Sequence, residues 1–267
     1  LNANNRRPDL SLRVNPLRAL VEEVRRNLEE DGVGVARSPY DPWSLRVNSI
    51  GSVGDHPLFR AGAVTVQDEA AVLASRITGV KPGMTVIDLC AAPGGKATAM
   101  AEMLAGSGHV LAVDRHAGRL RGVDESARRL GVESVVETMQ GDARTVTPPQ
   151  ADVVLVDAPC SGLGVIDRKP DIKRTRTPED IARTVGLAGQ ILENASRLVR
   201  AGGSLVYTTC TIEPEENDGV IRAFIDRHPE YTVEGVPPSI PNDVRDGPFL
   251  RTYPHRHGID GSFGAVL

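Results

Sequence analysis

The chain predicts an α/β fold in which a mostly parallel sheet, covered by helices on both faces, follows a small α+β module. Three observations carry this. Downstream of the turn at Gly79 to Gly83, apolar strand-like runs and helical patterns alternate as far as about Arg227, the signature of a parallel sheet built by crossover helices. Residues 1–78 follow a different pattern, with a helix between two short strands. Each of the three cysteines ends an apolar run: Cys90 after Met84 to Leu89, Cys160 after Val153 to Val156, and Cys210 after Ser204 to Tyr207. Ligands of open α/β sheets bind in the crevice outside the carboxyl ends of the strands, where one pocket can collect all three.

In the first module, Leu12 to Val14 and Leu45 to Val47 both open the phrase LRVN and read as strands, and Leu17, Leu20, Val21, Val24 and Leu28 keep helical spacing between them. From residue 79 onward, Met84 to Leu89 reads as a strand, Gly95 to Leu104 as a helix, His109 to Val113 as a strand and Ala117 to Leu130 as a helix. Ser134 to Met139, Asp152 to Val156 and Ser204 to Tyr207 continue the strand series. Thr177 caps a helix with Pro178 at its first position and Glu179 and Asp180 at its positive end. Its apolar positions Ile181, Val185, Ala188, Leu192, Ala195 and Val199 run to about Arg200, and Gly202 and Gly203 stop it. Pro214 is expected to open a further helix through about Arg227, and the Pro- and Gly-rich tail to end in a hairpin closed by Phe263 to Leu267.

At 267 residues and 40% hydrophobic, the chain is long enough for one sizeable core and a satellite, and with 3% aromatics that core is aliphatic. Three separated cysteines with no CxxC pair make neither a disulfide framework nor a structural zinc site, so no metal is expected and the expected home is a reducing cytoplasm. No run approaches the roughly 18 apolar residues of a membrane span, and Leu1 to Pro8 lacks the apolar region of a signal peptide. A first residue of Leu suggests a fragment of a longer protein. Net charge is −4, but basic residues cluster: Arg6, Arg7, Arg13 and Arg18 near the start, RKPDIKRTR from Arg168 to Arg176, and Arg245 to Arg256 with His255 and His257 near the end. Any one such cluster is often a solvated loop. The one beginning at Arg168, close behind Cys160, is the expected phosphate contact.

The segment Asp88 to Lys96, DLCAAPGGK, runs from a strand through a Gly-rich turn into a helix, where glycines admit a ligand to the backbone and the helix start offers unpaired N–H groups. It is not a Walker loop, since Ala97 follows Lys96, and it lacks the GxGxxG of a dinucleotide fold. Asp114 ends the next strand, where an acid accepts ribose hydroxyls, and Asp142 in GDAR follows the one after, where a carboxylate can take an adenine amine. Singly, each is the kind of Asp that caps or solvates a loop. Three acids at successive strand ends point to a nucleoside.

Downstream stand DAPCSGLG, from Asp157 to Gly164, and YTTCTIEPEEN, from Tyr207 to Asn217. With DLCAAPGGK in order before them, the chain resembles the Sun/Fmu type of bacterial 16S ribosomal-RNA cytosine carbon-5 methyltransferase, within the wider Nop2/Sun family, from LRVN through the closing DGSFGAVL. The resemblance implies a class I, Rossmann-like methyltransferase fold with a mostly parallel seven-stranded sheet over residues 79–267, preceded by a small RNA-recognition-like α+β domain over residues 1–78. It implies S-adenosylmethionine as cofactor, wrapped by Cys90, Ala91, Ala92, Pro93, Gly94, Gly95 and Lys96 and held by Asp114, Arg119 and Asp142, with Asp157 where cofactor and target base meet. An additional N-terminal helical domain, frequent in such proteins, is not in this sequence, which fits a fragment. Two positions depart from the family pattern: Arg174 stands where many relatives carry an aromatic residue, and DGSF replaces DGFF. Both bear on substrate detail.

The chemistry follows from the base. Carbon 5 of cytosine is too weak a nucleophile to take a methyl group until a thiolate adds at carbon 6, and a second group must then help remove the carbon-5 proton and expel the thiol. The residues alone leave open which cysteine attacks. The resemblance assigns attack to Cys210 and release to Cys160. Cys90 is expected to be buried and inert, with only its backbone lining the cofactor turn, and Lys96 to pair with Asp157 and orient the base. A helix dipole from Pro214 would lower the Cys210 pKa while Glu213, Glu215 and Glu216 oppose it, and the balance stays open. The expected partner is RNA, small-subunit rRNA first, with the target base exposed or flipped; no membrane partner and no oligomer are expected. The alternatives are the same reaction on transfer or large-subunit RNA, a non-catalytic RNA-binding assembly factor, which would not require the two thiols, and, more remotely, a dinucleotide oxidoreductase, opposed by the missing GxGxxG.

Overall fold

The computed structural model describes residues 10–48 and 50–267, so Arg6, Arg7 and the stretch 1–8 lie outside the described residues. Strands β1 (Leu10–Val14), β2 (Gly34–Arg37), β3 (Ser44–Asn48) and β4 (Val64–Val66) form an antiparallel sheet in the order β2-β3-β1-β4. The two LRVN segments pair with each other, Leu12 opposite Leu45. Helix α1 (Val21–Glu30) lays Val21, Val24 and Leu28 on Leu12, Val14, Leu45 and Val47, and the short α2 (Pro57–Arg60) precedes β4. Leu17 and Leu20, expected on the buried face of α1, are 43% and 61% exposed. Their departure has a local cause: the buried Asn15 accepts the Leu17 N–H at 2.9 Å and donates to the Gly62 and Leu130 carbonyls, turning the chain before the helix can start.

Helix α3 (Glu69–Arg76), capped by Asp68, leads into the larger unit. There β5 (Thr85–Asp88), α4 (Gly95–Met103), β6 (His109–Asp114), α5 (Ala117–Leu130), β7 (Val136–Gln140), β8 (Ala151–Asp157), α6 (Ile172–Thr175), α7 (Pro178–Leu198), β9 (Val199–Thr209), α8 (Asp218–Ile225), β10 (Arg245–Asp246), β11 (Phe249–Thr252), α9 (Pro254–His257) and β12 (Ser262–Val266) follow. The sheet order is β10-β11-β12-β9-β8-β5-β6-β7, parallel from β7 to β9 and antiparallel beyond. The expected seven strands gain an eighth only as the two-residue β10 at the edge.

Strand periodicity splits the core into two layers. Val86, Val110, Ala112, Val153 and Leu155 face α3, α4 and α5, through Leu73, Met100, Leu120 and Val123. Ile87, Leu111, Val113, Val154 and Val156 face α7 and α8, through Ile191, Leu192, Ala195, Ile221 and Phe224. Because the chain leaves β5 toward β6 on one side and returns through β8 on the other, the carboxyl ends of β5 and β8 open a crevice between them.

The two units meet through buried charge. Arg13 of β1, 2% exposed, reaches Glu102 of α4 at 2.8 Å, the Thr98 hydroxyl at 3.1 Å and the Gly95 carbonyl at 2.8 Å, and also bonds Gln67. The small sheet thereby grips the helix that begins at the Gly-rich turn.

Candidate active site

The Gly-rich turn starts where β5 ends. Asp88 is 1% exposed; its Oδ1 accepts the Cys90 N–H at 3.4 Å, while its Oδ2 is buried without a hydrogen-bond partner. A donor from outside the protein is what this carboxyl lacks. Burial first, and then the charge of Asp157, push its pKa up to about 7, against the pull of Lys96. The Ala91 N–H donates to the Val113 carbonyl at 2.9 Å and the Gly94 N–H to that of Ala91 at 2.7 Å, folding Ala92 and Pro93 into the bend. Gly94 takes φ +104° as the cap of α4, in the left-handed region that glycine tolerates, and a Cβ there would lie 3.1 Å from the Val123 Cα. Burial raises the Cys90 thiol well out of the reactive range, and the charge of Asp88 adds to this.

At the end of β6, Asp114 is 5% exposed and accepts the His116 N–H at 2.8 Å. Arg119, from the first turn of α5, lies 3.3 Å from Asp114 and donates to the Ala92 carbonyl at 2.6 Å, joining the acid to the turn. Asp142, past β7, turns its carboxylate to Arg144 at 2.6 Å and accepts that residue's backbone N–H, which hold its pKa down at about 2. It stands near the row of strand ends, engaged with its own neighbour.

The thiols come together. Cys160, past the end of β8, and Cys210, past the end of β9, place their sulfurs 3.3 Å apart, with Cys210 the more exposed. A hydrogen bond from the Cys160 S–H lowers the Cys210 pKa, aided by the charges of Lys96 and Lys169 and opposed by burial and Asp157. The same hydrogen bond, with burial, pushes Cys160 well above the usual cysteine range. The two shifts run in opposite directions, so Cys210 is the more readily ionised of the two thiols. Beside them Lys96 Nζ donates to Asp157 Oδ2 at 2.7 Å, and the Thr208 hydroxyl to Asp157 Oδ1 at 2.9 Å. Burial alone would depress Lys96, but the charge and hydrogen bond of Asp157 outweigh it and its pKa is raised. Lys96 is a fixed cation.

Helix α8 begins at Asp218, because Pro214 to Asn217 form a turn, so the expected helix at Pro214 does not aim its dipole at Cys210. Of the basic cluster, Arg168 is spent on structure: it pairs with Asp68 and Asp260, both at 2.7 Å, while Arg176 donates to the Ser161 carbonyl at 2.8 Å. Lys169 and Arg174 are exposed. Sequence reasoning missed Thr208, Ser161, Glu216 and Asn217 as parts of the site. The signal was present in TIEPEEN, whose acids read as repulsion toward Cys210 instead of as hydrogen-bond acceptors. Among the described residues no group of three His, Cys, Asp or Glu side chains is arranged to hold a metal, and no helix is long and apolar enough to cross a membrane.

The family model for 16S rRNA methyltransferase RsmB/F matches residues 77–267, and the model for the RsmF/B-like ferredoxin-like domain matches residues 1–54. Over 266 residues the chain is 40% identical to a probable ribosomal RNA small subunit methyltransferase B of Bacillus subtilis, covering 96% of this chain and 59% of that one. A methyltransferase homolog protein from Pyrococcus horikoshii superposes with a TM-score of 0.85 at 29% identity, over 99% of this chain and 88% of that one. NSun6 from Pyrococcus horikoshii, solved with SFG, shares the fold with a TM-score of 0.89 at 24% identity, over 99% and 92%. The chain spans about 60% of the length of the curated relatives it matches. A ferredoxin-like unit followed by a methyltransferase sheet of S-adenosylmethionine-dependent type, matched over most of its length, places the chain in the 16S rRNA methyltransferase RsmB/F family.

Proposed function

We propose that the protein is an S-adenosylmethionine-dependent RNA methyltransferase that forms 5-methylcytosine in small-subunit rRNA through a covalent Cys210–cytosine intermediate. The observation that carries the reading is the thiol pair, 3.3 Å apart at adjacent strand ends with Cys210 the thiol whose pKa is lowered, beside the Lys96–Asp157 pair. A single nucleophile would not need a second thiol there.

When bound, S-adenosylmethionine supplies an electrophilic methyl group. The turn from Cys90 to Lys96, Asp114, Arg119, Asp142 and Asp157 would hold it, and the unpartnered Asp88 Oδ2 supports the fit, because it offers a buried acceptor to an ammonium group. In this reading the Cys210 thiolate adds to carbon 6 of the cytosine, and the electron pair of the carbon 5–carbon 6 bond moves toward carbon 5, which would take the methyl group as the methyl–sulfur bond breaks and S-adenosylhomocysteine leaves. Lys96 and Asp157 orient the ring edge as negative charge develops on it. Release of the carbon-5 proton to solvent water then restores the double bond and expels Cys210 as thiolate, and the Cys160 S–H, hydrogen-bonded to the departing sulfur, eases its release and returns the pair to its starting state. The small domain, residues 1–78, presents the RNA, and residues 79–267 carry the chemistry. In this reading the exposed Lys169, whose charge acts on Cys210, and the exposed Arg174 supply phosphate contacts. The reading places the protein in the cytoplasm, acting as a monomer without a metal.

The test incubates the protein, and separately Cys210→Ala and Cys160→Ala, with tritiated S-adenosylmethionine and unmodified small-subunit rRNA. Methylation lost in Cys210→Ala, and a protein–RNA adduct accumulating on denaturing gels in Cys160→Ala, are the expected results. Full 5-methylcytidine formation by Cys210→Ala would overturn the reading, and methylation of transfer RNA instead would reassign the substrate.

A further inference from the structure

The turn Pro214 to Asn217 touches the loops of both thiols. Glu216, 1% exposed, accepts the Ser161 N–H at 2.7 Å and the Thr184 hydroxyl at 2.6 Å on Oε1, and the Ser161 hydroxyl on Oε2. Ser161 follows Cys160 directly. Its oxygen lies 3.0 Å from the Thr211 hydroxyl, which in turn accepts the Glu213 N–H, so a directed chain runs from Thr211, next to Cys210, through Ser161 to Glu216. Asn217, fully buried, accepts the Thr209 hydroxyl at 2.6 Å and donates to the Thr211 carbonyl at 3.1 Å, bracketing Cys210 from both neighbours. Tyr207, inside β9, fixes the turn by donating to the Glu216 carbonyl at 2.7 Å. A carboxylate can only accept, and three donors converge on Glu216. Such a buried charge is retained at a cost that a purely structural turn need not carry.

We propose that Glu216 and Asn217 are positioning residues for the thiol pair: Glu216 sets the Cys160 loop, Asn217 sets the end of β9 at Cys210, and together they hold the two sulfurs at their separation. The inference rests on the assignment of both thiols to one reaction. Its chemical consequence is that the proton stays between the sulfurs in one orientation. The Glu216 charge adds to the effects that keep Cys160 protonated, after the hydrogen bond to Cys210 and burial.

The experiment compares Glu216→Gln, Ser161→Ala and Asn217→Ala with the unmutated protein and with Cys160→Ala. Two readouts are taken: the ratio of protein–RNA adduct to methylated product, and the pH midpoint of Cys210 alkylation by iodoacetamide without RNA, mapped by mass spectrometry. Glutamine keeps the shape of Glu216 but turns one acceptor into a donor facing the Ser161 hydroxyl. The expected result is an adduct-to-product ratio raised about tenfold or more and an alkylation midpoint raised by about one unit, with the melting temperature and S-adenosylhomocysteine affinity little changed. An unchanged ratio and midpoint in a folded Glu216→Gln protein would overturn the proposal. Should that variant not fold, Ser161→Ala, which removes one hydroxyl, decides between the same two outcomes by the same readouts. If Cys160→Ala itself accumulates no adduct, the assignment of the thiols fails, and the alkylation midpoint still judges the clamp.

Discussion

Asp88 should make cofactor affinity depend on pH near neutrality. Its carboxyl is buried at the end of β5 with Oδ2 unpartnered, and burial and Asp157 raise its pKa to about 7. An unfolded chain loses this proton near pH 4. A raised native value means that the contribution of Asp88 to the stability of the ligand-free protein is fully present below pH 4 and is lost as the pH climbs through about 7. At about 1.4 kcal/mol per unit, the whole span is worth on the order of 4 kcal/mol at most. A ligand ammonium selects the ionised carboxylate. The ionised fraction rises from about one tenth at pH 6 to about nine tenths at pH 8, so affinity for S-adenosylhomocysteine should strengthen about tenfold across that interval and then level off. Calorimetric titration in two buffers of different ionisation enthalpy should also register nearly one proton released per ligand at pH 6. In Asp88→Asn the pH dependence should vanish. A flat profile in the unmutated protein, or the same slope in Asp88→Asn, would refute the reasoning.

Breaking the Arg13–Glu102 pair by Glu102→Ala should cost about 3–5 kcal/mol in chemical denaturation, because it strands a guanidinium that is 2% exposed; a loss under 1 kcal/mol would mean that the two units are held together elsewhere. Phe224, fully buried and stacked on His228 at 4.4 Å, should cost about 3–5 kcal/mol as Phe224→Ala, read from thermal melts, with cofactor affinity kept. Lys169→Gln should weaken RNA binding and flatten the slope of log affinity against log salt by about 0.7, as for one single-stranded phosphate contact. Arg168→Ala should instead lower the melting temperature, since Arg168 holds Asp68 to Asp260.

Elements whose signals are local were legible before the structure. Helix α5 runs from Ala117 to Leu130 as the spacing of Leu120, Val123, Ala127 and Leu130 requires, and Gly131 closes it at φ +72°. Helix α7 starts at Pro178 because Thr177 and Asp180 cap each other. The strand ends that bear Asp88, Asp114, Asp157 and the two thiols follow from apolar runs of the right length. What the sequence hid depends on partners far along the chain. Nothing local says that Arg13 is buried, since Glu102 and Thr98 lie on another unit. Nor does the run Glu213 to Glu216 say which acid turns inward, because the donors that hold Glu216 come from Ser161 and Thr184. Pro214 reads as a helix start, yet a Tyr207 hydroxyl and an Asn217 amide hold that stretch as a turn. Arg168 likewise reads as a free cation until Asp68 and Asp260 come beside it.

The most direct test of the central claim uses small-subunit rRNA in which 5-fluorocytidine replaces cytidine, incubated with S-adenosylmethionine and the protein. Fluorine at carbon 5 cannot leave as a proton does, so the attacking thiol stays bonded to carbon 6. Proteolysis and mass spectrometry should then find a nucleotide and one methyl group on the peptide carrying Cys210, and none on those carrying Cys160 or Cys90. A stable adduct on Cys160 would reverse the two roles, and methylation of ordinary rRNA with no adduct on any cysteine would contradict the covalent account.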